Sequence, residues 1–161
     1  MKRYSSVAGL ALAALVVLGL AGPVAAGQQV PFKGGFEGVD IATPLVAPFV
    51  AAEVTATGTA TRLGKFTSTI SATVNRTTGA ATGTFEFVAA NGDTVFGTLT
   101  GQSTLTAPGV LTIEETFTIT GGTGRFADAT GSFTGTRLKN LVTNETIGVF
   151  EGTISSPGAG K

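Results

Sequence analysis

The chain has no cysteine, no histidine and no tryptophan, and its one tyrosine is Tyr4. Without cysteine there is no disulfide framework, no thiolate nucleophile and no thiolate-bound zinc. Without histidine there is no imidazole base, no imidazole metal ligand and no Ser/His or Cys/His pair. The lack of Trp and Tyr argues against an aromatic face for stacking sugars or bases. Charge is scarce as well, with 10 Lys+Arg and 10 Asp+Glu in 161 residues. Lys2 and Arg3 head an apolar leader, and the rest of the chain carries 8 basic against 10 acidic residues, a net charge near −2. Nucleic-acid binding needs clustered Lys and Arg, so no nucleic-acid partner is expected. No metal and no cofactor are expected either.

What is present begins with Met1-Lys2-Arg3-Tyr4, a short positive segment. An Ala/Leu/Val/Gly run from Val7 to Leu20 follows, then Gly22-Pro23 and the small residues Val24-Ala25-Ala26. This order predicts a secretory signal peptide over 1–26, cleaved after Ala26. The apolar run falls short of the roughly 20 residues a bilayer span needs, so no stable membrane span is expected in the mature chain. The protein is expected to be exported, to an extracellular or periplasmic location. Export without disulfides favours a bacterial envelope over a eukaryotic secretory route.

The remainder predicts one all-β domain over 27–155 and a flexible Gly/Pro tail over 156–161. Helical periodicity is absent, and alternation with period 2 recurs. Eight strands are predicted: Phe32–Asp40, Phe49–Thr59, Lys65–Asn75, Ala81–Ala89, Asp93–Gly101, Val110–Thr120, a seventh within Phe126–Leu138 beginning near Gly131, and Glu145–Ile154. Asn91-Gly92 signals a two-residue hairpin. Short turns between strands predict an antiparallel up-and-down meander. A closed barrel is preferred over a sandwich, because closure removes edges open to aggregation. Phe36-Glu37-Gly38 recurs as Phe150-Glu151-Gly152, as expected if the first and last strands lie side by side. Phe32, Phe36, Phe49, Phe85, Phe87, Phe117, Phe126, Phe133 and Phe150 are read as core.

Thr120-Gly121-Gly122-Thr123-Gly124-Arg125-Phe126-Ala127-Asp128-Ala129-Thr130-Gly131 has the glycine content of a phosphate loop but not its context. A strand follows it rather than a helix, and no Lys-Ser/Thr pair follows. It is predicted to be a strand-to-strand corner, with Phe126 plugging the barrel end and Asp128 capping the turn. This corner resembles that of the allene oxide cyclase and dirigent barrels, where a Gly-Gly-Thr-Gly-basic-Phe run precedes Ala-Thr-Gly. Pro31-Phe32-Lys33-Gly34, Gly58 to Phe66, Ala89 to Thr94 and Phe150 to Ser156 resemble a group of bacterial secreted proteins with that barrel. The resemblance implies an eight-stranded barrel. It carries over no catalytic residue, since only the corner matches the enzymes.

Carboxylates are the remaining chemistry. In the sixth strand Glu115 shares a face with Leu111, Ile113, Phe117 and Ile119, while Glu114 shares the other with threonines. In the seventh, Arg137 shares a face with Phe133. If both stripes face inward, Glu115 and Arg137 pair inside. Glu115, Arg137, Phe117 and Phe133 are therefore the candidate ligand-binding residues, a polar handle at the end of an apolar pocket. The alternative is a purely structural buried ion pair. Small inward residues Ala52, Ala56, Ala72 and Gly83 would leave room for a ligand. The expected function is a non-catalytic exported barrel that binds a small apolar molecule or an envelope partner. Two alternatives stand beside it: a cyclase- or dirigent-type enzyme steering a reactive apolar intermediate, and a structural module with a filled core. Oligomeric state is not legible.

Overall fold

The computed structural model describes residues 27–155; the expected signal peptide and tail lie outside the described residues. The strands are β1 (Gln29–Pro44), β2 (Phe49–Ala60), β3 (Gly64–Asn75), β4 (Ala80–Ala89), β5 (Thr94–Ala107), β6 (Val110–Gly122), β7 (Gly131–Asn140) and β8 (Glu145–Ser155). Each pairs antiparallel with its chain neighbour, and β8 pairs with β1 to close an eight-stranded barrel. Up-and-down topology with short hairpins follows from the turn residues. Gly79, Gly92 and Gly109 all take positive φ, which glycine adopts without steric cost.

The echo between the first and last strands marks closure, though not by matching like with like. Across β1 and β8, Phe32 faces Gly152, Gly34 faces Phe150 and Phe36 faces Gly148. The same large-against-small pairing recurs where Phe66 faces Gly58 and where Phe85 faces Gly97. Small barrels fill their taper this way. Seven inward rings, Phe32, Phe66, Phe85, Phe87, Phe117, Phe133 and Phe150, make one aromatic cluster in the interior. Phe117 and Phe133 stack at 4.5 Å with 9° between planes, while Phe85 meets Phe117 edge-on at 5.2 Å. Outward positions of β2 to β7 are rich in threonine, whereas those of β8 and β1 include the exposed aliphatics Val39, Ile41, Ile147 and Val149.

The Gly-rich segment forms a corner containing a single 3-10 turn, Gly124–Phe126, with Phe126 buried beneath the barrel end. The acid that ties the corner is Asp93 rather than Asp128. Asn91 Nδ2 donates to Asp93 Oδ2 at 2.8 Å, and Arg125 Nε lies 3.6 Å from the same oxygen. Asp128 is exposed and takes a left-handed φ of 61°. Two further expectations are corrected. The Asn91-Gly92 turn has positive φ only at Gly92, and Ala89 N–H donates to Asp93 O across a three-residue loop. Phe49 is exposed, because the inward parity of β2 begins at Val50.

Candidate functional site

Parity brings Glu115 and Arg137 together. β6 and β7 pair with Ile113 opposite Arg137 and Glu115 opposite Gly135, so both side chains enter the interior two residues apart along the barrel axis. Arg137 Nε donates to Glu115 Oε2 at 3.0 Å, and Nη2 donates to Oε1 at 3.1 Å. This is the bidentate fork that a guanidinium offers a carboxylate. The glycines facing them make the room. A Cβ on Gly101 would stand 3.1 Å from Glu115 Cγ, and one on Gly148 would stand 2.6 Å from Arg137 Cβ.

Two more charges join that pair. Asp40 of β1 is buried, and its Oδ2 accepts from Arg137 Nη1. Its Oδ1 accepts from Lys139 Nζ at 2.6 Å. Thr146 Oγ1 completes the group, 3.4 Å from Arg137 Nη1. Two acids and two bases thus form a neutral cluster just beyond the phenylalanine rings. Among the described residues no buried side-chain polar atom lacks a partner. Full pairing matters, because an unpaired buried charge is costly where water is excluded. Asp40 and Lys139 were not foreseen as members. The signal is present for both: Asp40 keeps the parity of Phe32 and Phe36, and Lys139 keeps that of Phe133 and Arg137.

Burial is the largest single influence on Arg137 and by itself would lower its pKa. The charges and hydrogen bonds of Glu115, then of Asp40, outweigh it, so the guanidinium pKa lies above its ordinary value. A raised pKa makes the cation's contribution to stability complete below the unfolded-state value. That contribution is lost only as pH climbs through the folded-state value, well into strong alkali. The loss of urea midpoint on Arg137→Met is therefore expected to stay constant from neutral to mildly alkaline pH. A loss that shrinks over that range would mean that Arg137 gives up its proton there.

Phe117 and Phe133 lie inside beside this cluster, stacked on one another and buried. An open depression lies elsewhere, on the outer wall across β8, β1, β2, β3 and β4. It is an open trough of about 770 Å³, and none of Glu115, Arg137, Phe117 and Phe133 lines it. Its floor is bare backbone at Gly35, Gly58 and Gly148, backed by the rings of Phe36 and Phe66. Val149 and Ile147 wall one side and Val88 the other, with Glu37 and Lys65 at its edges. Gly35 is the key to it. It is an outward position opposite Val149, where every neighbouring wall position but this one carries a side chain. No protein-family model matches this chain, and neither does any curated protein or any solved structure.

Proposed function

We propose that this protein is an exported, non-catalytic barrel that binds a small apolar molecule against its outer wall. The observation that carries the reading is the contrast between its two surfaces. Inside, stacked phenylalanines and a neutral cluster in which every charge has an opposite partner occupy the positions that a hollow barrel would give to a ligand. Outside, the trough floored by Gly35 is apolar and within the size range of small-molecule sites. It is open along its length, so a bound chain or ring would lie against the wall and exchange freely.

The likeness of the corner to the allene oxide cyclase and dirigent barrels supports the architecture more than the activity. Steering a reactive intermediate needs an enclosed space, and Phe117, Phe133, Glu115 and Arg137 use theirs on one another. On this reading those four residues are wall and core, and ligand binding falls to the trough.

The test is a Gly35→Leu variant with an uncharged fluorescent probe, N-phenyl-1-naphthylamine. A Cβ at position 35 meets nothing closer than the Gly148 carbonyl oxygen at 3.4 Å, so leucine fills the trough without straining the wall. The wild-type chain is expected to bind the probe and the variant to bind it at least tenfold more weakly, a loss of about 1.4 kcal/mol, with the urea midpoint unchanged. Equal binding by the two would remove the trough from the function. No binding by either would leave the filled structural module as the better reading.

A further inference from the structure

Asn91-Gly92 is the chain's only asparagine–glycine step; Asn75, Asn140 and Asn144 precede Arg76, Leu141 and Glu145. Such a step is chemically unstable, because glycine has no Cβ to hinder attack by its own nitrogen on the asparagine side chain. A bond forms between Gly92 N and Asn91 Cγ, and the bond from Cγ to Nδ2 breaks. Nδ2 leaves as ammonia with the proton that Gly92 N gives up. Water then opens the resulting cyclic imide at one of its two carbonyls, which leaves an aspartate or an isoaspartate at position 91. No oxidant or reductant takes part. Both residues are exposed, and a Cβ on Gly92 would meet nothing within 4 Å, so neither burial nor crowding protects the site.

Hydrogen bonds hold every group that the reaction uses. Gly92 N–H donates to Ala89 O at 2.9 Å, yet the nitrogen must shed this proton to attack. Asn91 Oδ1 accepts from Asp93 N–H at 3.2 Å, and Nδ2 donates to Asp93 Oδ2 at 2.8 Å. Both ends of the side-chain amide thus rest on Asp93. The bond to its carboxylate is the stronger kind, since the acceptor is charged. The corner steadies Asp93 in turn. Arg125 N–H donates to the same Oδ2 at 3.4 Å, and Arg125 Nε lies 3.6 Å from it. A Cβ on Gly124 would collide with Asp93 Oδ1, so the carboxylate is seated directly on the corner backbone. The next residue is tied as well: Thr94 N–H donates to Thr123 Oγ1 at 3.0 Å, and Thr123 N–H donates to Thr94 O at 3.0 Å. For Asn91 Cγ to meet Gly92 N, the amide must turn away from Asp93 while Gly92 N–H leaves Ala89.

We infer that Asn91-Gly92 is a latent deamidation site that Asp93 holds shut, and that its conversion frees the turn from the corner irreversibly. The product has no Nδ2 to donate. Its carboxylate would face that of Asp93 where a hydrogen bond stood, and like charges so placed repel. An isoaspartate also adds a carbon to the main chain of a loop only three residues long. Local openings of a turn normally reverse. Here each opening exposes the amide to attack, and a converted turn cannot close again. Asp93 is the positioning residue and Arg125 its support. The inference stands apart from ligand binding in the trough.

The experiment holds the chain from Gly27 to Lys161, which contains every strand of the closed barrel, in warm, mildly alkaline buffer. Position 91 is followed by peptide mass and by enzymatic methylation of isoaspartate. The folded wild type is expected to convert about tenfold more slowly than the same chain in guanidinium chloride. Asp93→Ala is expected to convert several-fold faster than the wild type while still folded. Arg125→Ala, which leaves both bonds between Asn91 and Asp93 in place, is expected to fall between them and serves if Asp93→Ala does not fold. Asn91→Asp stands in for the converted chain, and it is expected to lower the urea midpoint and to speed tryptic cleavage after Arg125. Adding Asp93→Asn restores a donor opposite the carboxylate and is expected to recover both. Equal conversion of folded and denatured wild type, or wild-type rates in both Asp93→Ala and Arg125→Ala, would overturn the guarding role. A wild-type midpoint and cleavage rate in Asn91→Asp, or no recovery on adding Asp93→Asn, would overturn the release.

Discussion

Asp40→Ala is expected to remove about 3–5 kcal/mol of folding stability, the largest loss among the charged positions. Among the described residues, Asp40 is the only carboxylate that Lys139 reaches and the second that Arg137 reaches. Removing it leaves Arg137 paired with Glu115 alone and the Lys139 ammonium unpaired where solvent does not enter. Glu115→Gln is expected to cost less, about 3 kcal/mol, because Asp40 still touches both cations. The informative variant is the pair Asp40→Ala with Lys139→Met. It restores neutrality and leaves the Arg137–Glu115 fork intact, so it should recover more than half of the loss. Urea midpoints at neutral pH with an unchanged slope give these values directly. A loss under about 1 kcal/mol for Asp40→Ala would put the cluster in the class of solvated surface pairs. Additive losses in the double variant would mean that Asp40 and Lys139 are not coupled.

The cluster was half legible in the sequence. Glu115 stands inside an unbroken apolar alternation, so its inward direction follows from parity alone. Asp40 stands at the last position of the first strand as read, with Pro44 and Pro48 just ahead. The strand instead continues to Pro44. Lys139 lies one residue beyond the read end of the seventh strand, which continues to Asn140. Lys139 was lost to strand length, whereas Asp40 lay at the last position of the strand as read, already in the parity of Phe32 and Phe36. The fifth strand shows the same effect, running on through Gln102 to Ala107, where Thr and Ser hide the alternation. The eight strands and their order were legible because turn residues bound them. The trough was not, because it depends on which residues of β8 and β2 flank Gly35, and register of that kind is set by the whole closed sheet.

A large effect of a single methyl group is expected at Gly152, and Gly152→Ala should cost about 3 kcal/mol. Gly152 lies in register between Phe32 on β1 and Phe133 on β7. A Cβ there would point inward, stand 2.6 Å from Phe133 Cβ and collide with the Ser132 carbonyl oxygen. Those are wall atoms, and they can yield only if β7 and β8 separate. The control is Gly35→Ala, an outward position on the same closed sheet. Its Cβ would lie 3.4 Å from the nearest heavy atom, the Gly148 carbonyl oxygen. Both substitutions restrict the unfolded chain alike, a stabilising effect of about 0.4–1 kcal/mol, so it cancels in the comparison. The difference between the two urea midpoints then isolates the interior collision. A loss at Gly152 at least about 3 kcal/mol larger than at Gly35 means that the ring-against-glycine pairing holds the β7–β8–β1 closure. Equal effects at the two sites would mean that the wall absorbs the methyl group by shifting, and that closure does not depend on this pairing.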